Sequence, residues 1–319
     1  MICNEVRMQY GDDILSRIGN TPLLRLERIT EGMPRVHIYA KAEWFNPGGS
    51  VKDRTALGIV DEAIVSGKLT KDKVLLDASS GNTGIAYSMI CAVKGFRSTI
   101  VVPGNIGKEK LEVLRAYGAE VVLSSPMEGT DGSQRLAKKM AEQHPDLYFY
   151  ADQYNNESNW KAHYLRTGRE IFEQTEGEID YFVAGLGTGG TFTGVSRLLK
   201  ERNKSIRTVA VEPDSPLHGI EGLKRMDASV RPGIYDESIA DEHVYVSTED
   251  AQKTVIRAAR TEGLLLGVSS GAALKACMDI AEREGRGNIV TVFPDNGQRY
   301  LGEKFLLIYF SLSAGGSHR

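Results

Sequence analysis

The chain is poor in several features that define whole classes of protein. Only three cysteines occur in 319 residues, Cys3, Cys91 and Cys277, and no two are close enough for a Cys-x-x-Cys pair. A disulfide-stapled secreted scaffold and a cysteine-ligated zinc site are therefore not expected, no metal is called for, and a reducing cytoplasm suits the chain. No run of about 18 apolar residues exists, so no membrane-spanning helix is expected. The first residues include Glu5, Asp12 and Asp13 and lack the basic and apolar segments of a secretory leader. A net charge of -3 gives no basic field for nucleic acid. Internal repeats and low-complexity segments are also missing.

What remains is an ordinary globular composition, 41% hydrophobic and 25% charged, with 34 glycines. The length suffices for two domains, each with a core. Strand patterns fall at Val36–Ala40, Val74–Asp77, Ser98–Val102, Glu120–Leu123, Tyr181–Ala184, Thr208–Val211, His243–Val246 and Ile289–Phe293. Helical periodicity falls at Thr55–Val65, Thr83–Lys94, Lys108–Tyr117, Ser133–Gln143, His163–Gln174, Thr191–Asn203, Thr248–Thr261 and Ala272–Glu284. Strands alternating with helices predict βαβ units and a largely parallel α/β sheet. Several strands are nearly continuous apolar runs, as a sheet covered on both faces requires. The polar stretch Gln153–Asn159 reads as irregular and marks a possible domain change.

Four loops carry the chemistry. The first, Asn46-Pro47-Gly48-Gly49-Ser50-Val51-Lys52, delivers Lys52 to the start of a helix. A lysine held in a pocket there can lose its proton and form a Schiff base with an aldehyde, whereas most lysines at helix starts are simply solvated. The second, Ser79-Ser80-Gly81-Asn82-Thr83-Gly84, offers hydroxyls, an amide and backbone N–H groups at a helix start. That suits a carboxylate, and exceeds what a helix cap alone needs. The third, Gly185-Leu186-Gly187-Thr188-Gly189-Gly190-Thr191, is a phosphate cradle by the same logic. Its glycines also satisfy the dinucleotide pattern, with Glu212 placed for a ribose contact, so an NAD enzyme is a rival. That rival leaves Lys52 and the serine-rich loop unexplained. The fourth, Gly267-Val268-Ser269-Ser270-Gly271, reads on local grounds as a serine-capped helix start.

Taken together and in this order, the loops resemble the fold-type II pyridoxal 5′-phosphate (PLP) enzymes, and most closely the cysteine synthase (O-acetylserine sulfhydrylase) family of the B type. The resemblance runs from Ile18-Gly19-Asn20-Thr21-Pro22-Leu23 to Phe293-Pro294-Asp295. It implies a tryptophan-synthase-β-like fold of two three-layer αβα domains with mostly parallel twisted sheets. Residues 45–155 would form the smaller, mobile domain, and 1–44 plus 156–319 the larger one that binds the phosphate. It implies that Lys52 carries PLP as a Schiff base and acts as the catalytic base. Asn82 would bond the cofactor's 3′-oxygen, Gly187, Thr188, Gly189, Gly190 and Thr191 its phosphate, and Ser269 would face its ring nitrogen. Ser79, Ser80, Gly81, Asn82, Thr83 and Gln153 would receive the substrate carboxylate, with Gly219 in the loop His218–Gly222 across the mouth. Ser79 stands where the family usually has threonine, Asn155–Asn159 where it has Asn-Pro-x-Asn, and Arg169 where it often has proline.

The implied activity is a transferase of cysteine biosynthesis. It replaces the β-substituent of O-acetyl-L-serine, or O-phospho-L-serine, with sulfide or another sulfur donor through α-aminoacrylate. A phosphorylated substrate needs a basic side chain near the mouth, for which Lys224 and Arg225 are candidates, although a solvated surface pair is an equal reading. The alternatives are cystathionine β-synthase, serine or threonine dehydratase, and a non-catalytic partner that keeps the fold. Expected partners are a second copy in a homodimer and, for some family members, a sulfur-carrier protein.

Overall fold

A computed structural model describes residues 13–79 and 81–301. Cys3 and Ser80 lie outside the described residues, as does the segment from 302 to 319. Ten strands and nine α-helices alternate along the described chain. The strands form two sheets.

The larger sheet contains β1 (Leu23–Arg25), β2 (Val36–Ala42), β7 (Tyr181–Gly185), β8 (Arg207–Pro213), β9 (Glu242–Val246) and β10 (Gly287–Phe293). Its order is β1-β2-β10-β7-β8-β9, and every pairing is parallel except β1 with β2. The smaller sheet contains β3 (Val74–Ala78), β4 (Arg97–Pro103), β5 (Glu120–Ser124) and β6 (Tyr148–Tyr150), in the order β5-β4-β3-β6 and parallel throughout. Every residue of β3 is buried, which is why that strand, Asp77 excepted, is apolar without alternation.

Helices cover both faces of each sheet. On the larger one, α8 (Thr248–Thr261) and α9 (Val268–Glu284) pack into one apolar cluster, and α7 (Gly190–Arg202) into another. On the smaller one, α1 (Lys52–Val65), α2 (Asn82–Lys94) and α3 (Lys108–Ala116) share a cluster, with α4 (Gly129–Gln143) opposite. The cluster under α1 and α2 also includes Leu15 and Ile18.

The stretch expected to be irregular is partly helical. Asn156 caps α5 (Glu157–Ala162), its side chain accepting from Ser158 N at 3.0 Å. A π-helical turn, His163–Gly168, joins α5 to α6 (Arg169–Gln174). Helix α7 crosses here at backbone contact, because a Cβ at Gly194 would fall 2.2 Å from Trp160 O. The residues from Gln153 to Asn159 are therefore a cap and first turn held by tertiary packing.

Both sheets reverse their winding. From β7 the chain moves outward to β8 and β9, then returns to place β10 on the other side of β7. From β3 it moves to β4 and β5, then places β6 on the other side of β3. Crevices at the carboxyl ends of strands open at such switch points.

Candidate active site

Two of the four chemistry-bearing loops, and two further segments, leave the carboxyl ends of strands beside those switch points. Ser79 follows β3 and Gln153 follows β6. The Gly187–Thr191 turn follows β7, and Asp295 follows β10. They line one cavity of about 500 Å³, together with Lys52, Ser269 and the His218–Lys224 segment. A larger cleft of about 770 Å³ around Trp160 and Tyr235 has no such convergence. There Arg197 and Arg231 are already paired with Asp236 and Glu237.

Lys52 opens α1, three residues earlier than the periodicity suggests, and is half-buried. Burial lowers its pKa, opposed by the charges of Asp295 and Glu43. Its amine is thereby easier to deprotonate than a solvated lysine. The following residues anchor it. Asp53 accepts from Gly48 N at 2.5 Å, and burial pushes its pKa to about 7. Arg54 is fully buried, bonding Glu43 at 2.6 and 2.9 Å and Glu170 at 2.6 and 2.7 Å. Lys41 also reaches Glu170 at 2.7 Å. Burial alone would raise the Glu170 pKa, but its bonds to Arg54 and Lys41 hold it at about 2. This two-by-two ion network lies under the loop that presents Lys52.

In the second loop, Ser79 Oγ accepts from Gly84 N at 3.0 Å and Gly81 N at 3.3 Å. Thr83 donates to Gln153 Oε1 at 2.8 Å, joining the loops after β3 and β6. The Asn82 amide is already engaged: it donates to Asp295 Oδ2 at 2.6 Å and accepts from Arg299 at 2.7 Å. Arg299 also bonds Gly48 O, and Tyr300 bonds Asp295 Oδ2 at 2.7 Å. The segment after β10 thus ties together the Lys52 and Asn82 loops.

The glycine-rich turn ends in Gly189 at φ +83, a left-handed conformation that suits glycine, and α7 begins at Gly190. The N–H groups of a first helical turn lack intrahelical partners and attract anions. Behind the turn, Asn159 donates to Gln153 O at 2.7 Å and to Thr188 Oγ1 at 3.1 Å. Its own oxygen accepts from Thr55 at 3.2 Å. His163, fully buried in the π-turn, meets Thr55 Oγ1 at 3.0 Å, Thr191 Oγ1 at 3.3 Å and Thr167 Oγ1 at 2.9 Å. Burial, with Arg54 and Lys52 nearby, keeps it neutral. Neither Asn159 nor His163 was singled out from the sequence. The only local signal is the i,i+4 spacing of His163 and Thr167, which an apolar-periodic helix does not require.

Ser269 is buried in the first turn of α9 and lines the cavity. The helix cap is Gly267, without a side-chain cap bond, so the serine-cap reading of this segment does not hold. Asp295 explains the glycine, since a Cβ at Gly267 would lie 2.0 Å from Asp295 Oδ1. Gly219 N donates to Thr248 Oγ1 at 2.9 Å, and Glu221 pairs with Lys110 of α3 at 2.5 Å, so the mouth loop is held from both sides. Glu212, the residue a dinucleotide would need, is absent from the cavity lining and is occupied by His243 at 2.9 Å and Met226 N at 2.8 Å.

The donor set fits PLP: an N–H-rich anion cradle, a lysine of lowered pKa and a neutral hydroxyl face one cavity. Comparison with known proteins agrees. The family model for pyridoxal-phosphate dependent enzymes matches residues 14–295. A cysteine synthase of Aquifex aeolicus is 46% identical over 296 residues, 91% of this chain and 90% of that protein. Cysteine synthase B of Salmonella typhimurium is 41% identical over 303 residues, 93% and 97% of the two chains. The crystal structure of a cysteine synthase from Entamoeba histolytica superposes with a TM-score of 0.90 at 36% identity, covering 96% of this chain and 93% of that one. The chain belongs to the pyridoxal-phosphate dependent enzyme family.

Proposed function

We propose that the protein is a cysteine synthase that replaces the β-substituent of an O-substituted L-serine with a sulfur nucleophile. The observation that carries this is the convergence of Lys52, of Ser79, Asn82, Thr83 and Gln153, and of the start of α7 on one cavity. When bound, PLP supplies an electron sink for charge developing at the substrate Cα. Gly187, Thr188, Gly189, Gly190 and Thr191 hold its phosphate, with Thr188 and Thr191 set by Asn159 and His163. Lys52 would hold the cofactor between turnovers. Once released, its amine takes the Cα proton and later returns it.

Ser79, Gly81, Asn82 and Thr83 receive the α-carboxylate, and Gln153 fixes the Thr83 hydroxyl. This would orient the Cα–H bond for proton transfer to Lys52. Ser269 is a neutral partner for the cofactor's ring nitrogen. A hydroxyl there would leave the ring nitrogen unprotonated, a weaker electron sink than a carboxylate partner would give, which favours β-elimination over racemisation. Residues 45–155 are read as a smaller domain that closes on the larger, across the Lys110–Glu221 pair. Two copies would form a homodimer in the cytoplasm, which sedimentation of the purified protein checks.

The test is product analysis with PLP-loaded protein, O-acetyl-L-serine and sulfide. Stoichiometric cysteine and acetate are expected, with a loss of at least about 10²-fold in Lys52→Ala. Steady pyruvate release that ignores sulfide would contradict the reading and favour a dehydratase.

A further inference from the structure

The side-chain amide of Asn82 is held in one orientation by residues that follow β10. Asn82, Asp295 and Tyr300 all line the cavity. Asn82 Nδ2 donates to Asp295 Oδ2 at 2.6 Å, and Asn82 Oδ1 accepts from Arg299 Nη1 at 2.7 Å. A guanidinium has donors only, so it can bond only the carbonyl end of an amide. Asp295 Oδ2 also accepts from Tyr300 Oη at 2.7 Å, so it bonds only the N–H end. Turning the amide over would set its oxygen against the carboxylate and its N–H groups against the guanidinium. The terminal torsion of asparagine is broad and roughly two-fold, so nothing in Asn82 itself selects one end. Asp295 takes one N–H of Nδ2, and the second is left for the cavity.

Asp295 is an expensive residue to keep here. It is buried, and its Oδ1 has no hydrogen-bond partner. A carboxylate with an orphaned oxygen is costly to bury, and such a group calls for an explanation. The surroundings are shaped to it all the same. Gly267 leaves room for Oδ1, and the Asp295 backbone is bridged to Ser50, two residues before Lys52. Val51 N donates to Pro294 O at 2.8 Å, and Arg299 also bonds Gly48 O. The segment that orients Asn82 therefore also holds the loop of Lys52.

We propose that Asp295, with Arg299, is a positioning residue that keeps the N–H end of Asn82 toward the cofactor, so that the cofactor's 3′-oxygen meets a donor. This rests on the PLP reading above and on the role the resemblance implies for Asn82. An N–H donor stabilises negative charge on that oxygen, whereas an amide oxygen in its place would repel it. In the lysine-bound cofactor the 3′-oxygen shares a proton with the nitrogen from Lys52. The form with the proton on nitrogen absorbs in the visible, and the form with the proton on oxygen absorbs in the near ultraviolet. The orientation of one amide thus sets which form dominates.

The experiment records the absorption spectrum of the PLP-loaded protein, without substrate, in the wild type, Asp295→Leu, Asp295→Asn, Arg299→Met and Asn82→Ala. Asp295→Leu is also combined with Asn82→Ala. Asp295→Leu removes the acceptor and should lower the ratio of visible to near-ultraviolet absorbance about fivefold, the shift of one lost hydrogen bond. Asp295→Asn keeps a carbonyl acceptor for Asn82 and should retain most of the ratio. Arg299→Met should lower it in the same direction. With Asn82 already replaced by alanine, Asp295→Leu should lower it no further. An unmoved ratio in Asp295→Leu, or an equal fall in the absence of Asn82, would overturn the assignment. So would an Asp295→Asn ratio as low as that of Asp295→Leu, which would make charge the cause. Should Asp295→Leu fail to fold, Arg299→Met with and without Asn82→Ala decides by the same criteria. A wild type that takes up no PLP would contradict the cofactor reading itself, and this inference with it.

Discussion

Asp77 shows how a single buried group records the demands of the site above it. It is 1% exposed at the end of β3, two residues before Ser79, and burial pushes its pKa to about 7. It persists because its oxygens accept from Ala78 N at 2.8 Å and Gln153 N at 3.4 Å, joining the segments that follow β3 and β6. Its folded pKa lies above its unfolded one, so its contribution to stability is fully present below about pH 4. That contribution is lost as pH rises through about 7. Asp77→Asn should flatten this slope. At pH 8 the variant should be more stable than the parent by on the order of 2–4 kcal/mol relative to their difference at pH 4. Urea unfolding at the two pH values measures it, and equal slopes in both proteins would remove Asp77 as the cause. At this scale the sequence showed the residues with local signatures: Lys52 after its Pro/Gly loop, and the hydroxyls of Ser79 and Thr83. It could not show Arg54, Glu43 and Glu170 as one network, because Glu170 lies 116 positions from Arg54 and only the fold brings them to 2.6 Å.

At the scale of elements, the start of α7 is the proposed seat of the cofactor anion, and its geometry depends on the helix behind it. A Cβ at Gly190 would fall 1.9 Å from Asn159 Oδ1. The displaced Asn159 would lose its bonds to Thr188, Gln153 and Thr55. Gly190→Ala should therefore weaken PLP affinity by at least about tenfold, by the loss of one to three buried hydrogen bonds. Fluorescence titration of the apoprotein with PLP reads this directly, and unaltered affinity would mean the cradle tolerates the shift. The long buried strands and amphipathic helices were legible because burial on both sides dictates their composition. Strands β1 and β6 were missed because three residues each cannot establish a period. The π-turn at His163–Gly168 was read as ordinary helix, since its extra residue reflects close packing against Gly194 of α7 and leaves the apolar pattern unchanged.

For the whole molecule, the decisive fact is topological. Two largely parallel sheets each reverse their strand order, and the residues after β3, β6, β7 and β10 meet where they do so. The order of the loops along the chain, and the resemblance it carries, made the fold class readable. The contacts across the cavity were not readable, because Lys110 with Glu221, Asn82 with Asp295 and Arg299 with Gly48 join segments 111 to 251 residues apart. These ties would let substrate binding be felt by both sheets at once. The most direct test of the central claim, that Lys52-bound PLP performs a two-step β-replacement, is the visible spectrum of the PLP-loaded protein under sequential addition. An O-substituted serine alone should shift the band of the lysine-bound cofactor, and hydrosulfide should then restore it with one cysteine formed per site. A band that the serine ester leaves unmoved, or one that sulfide fails to restore, would contradict it.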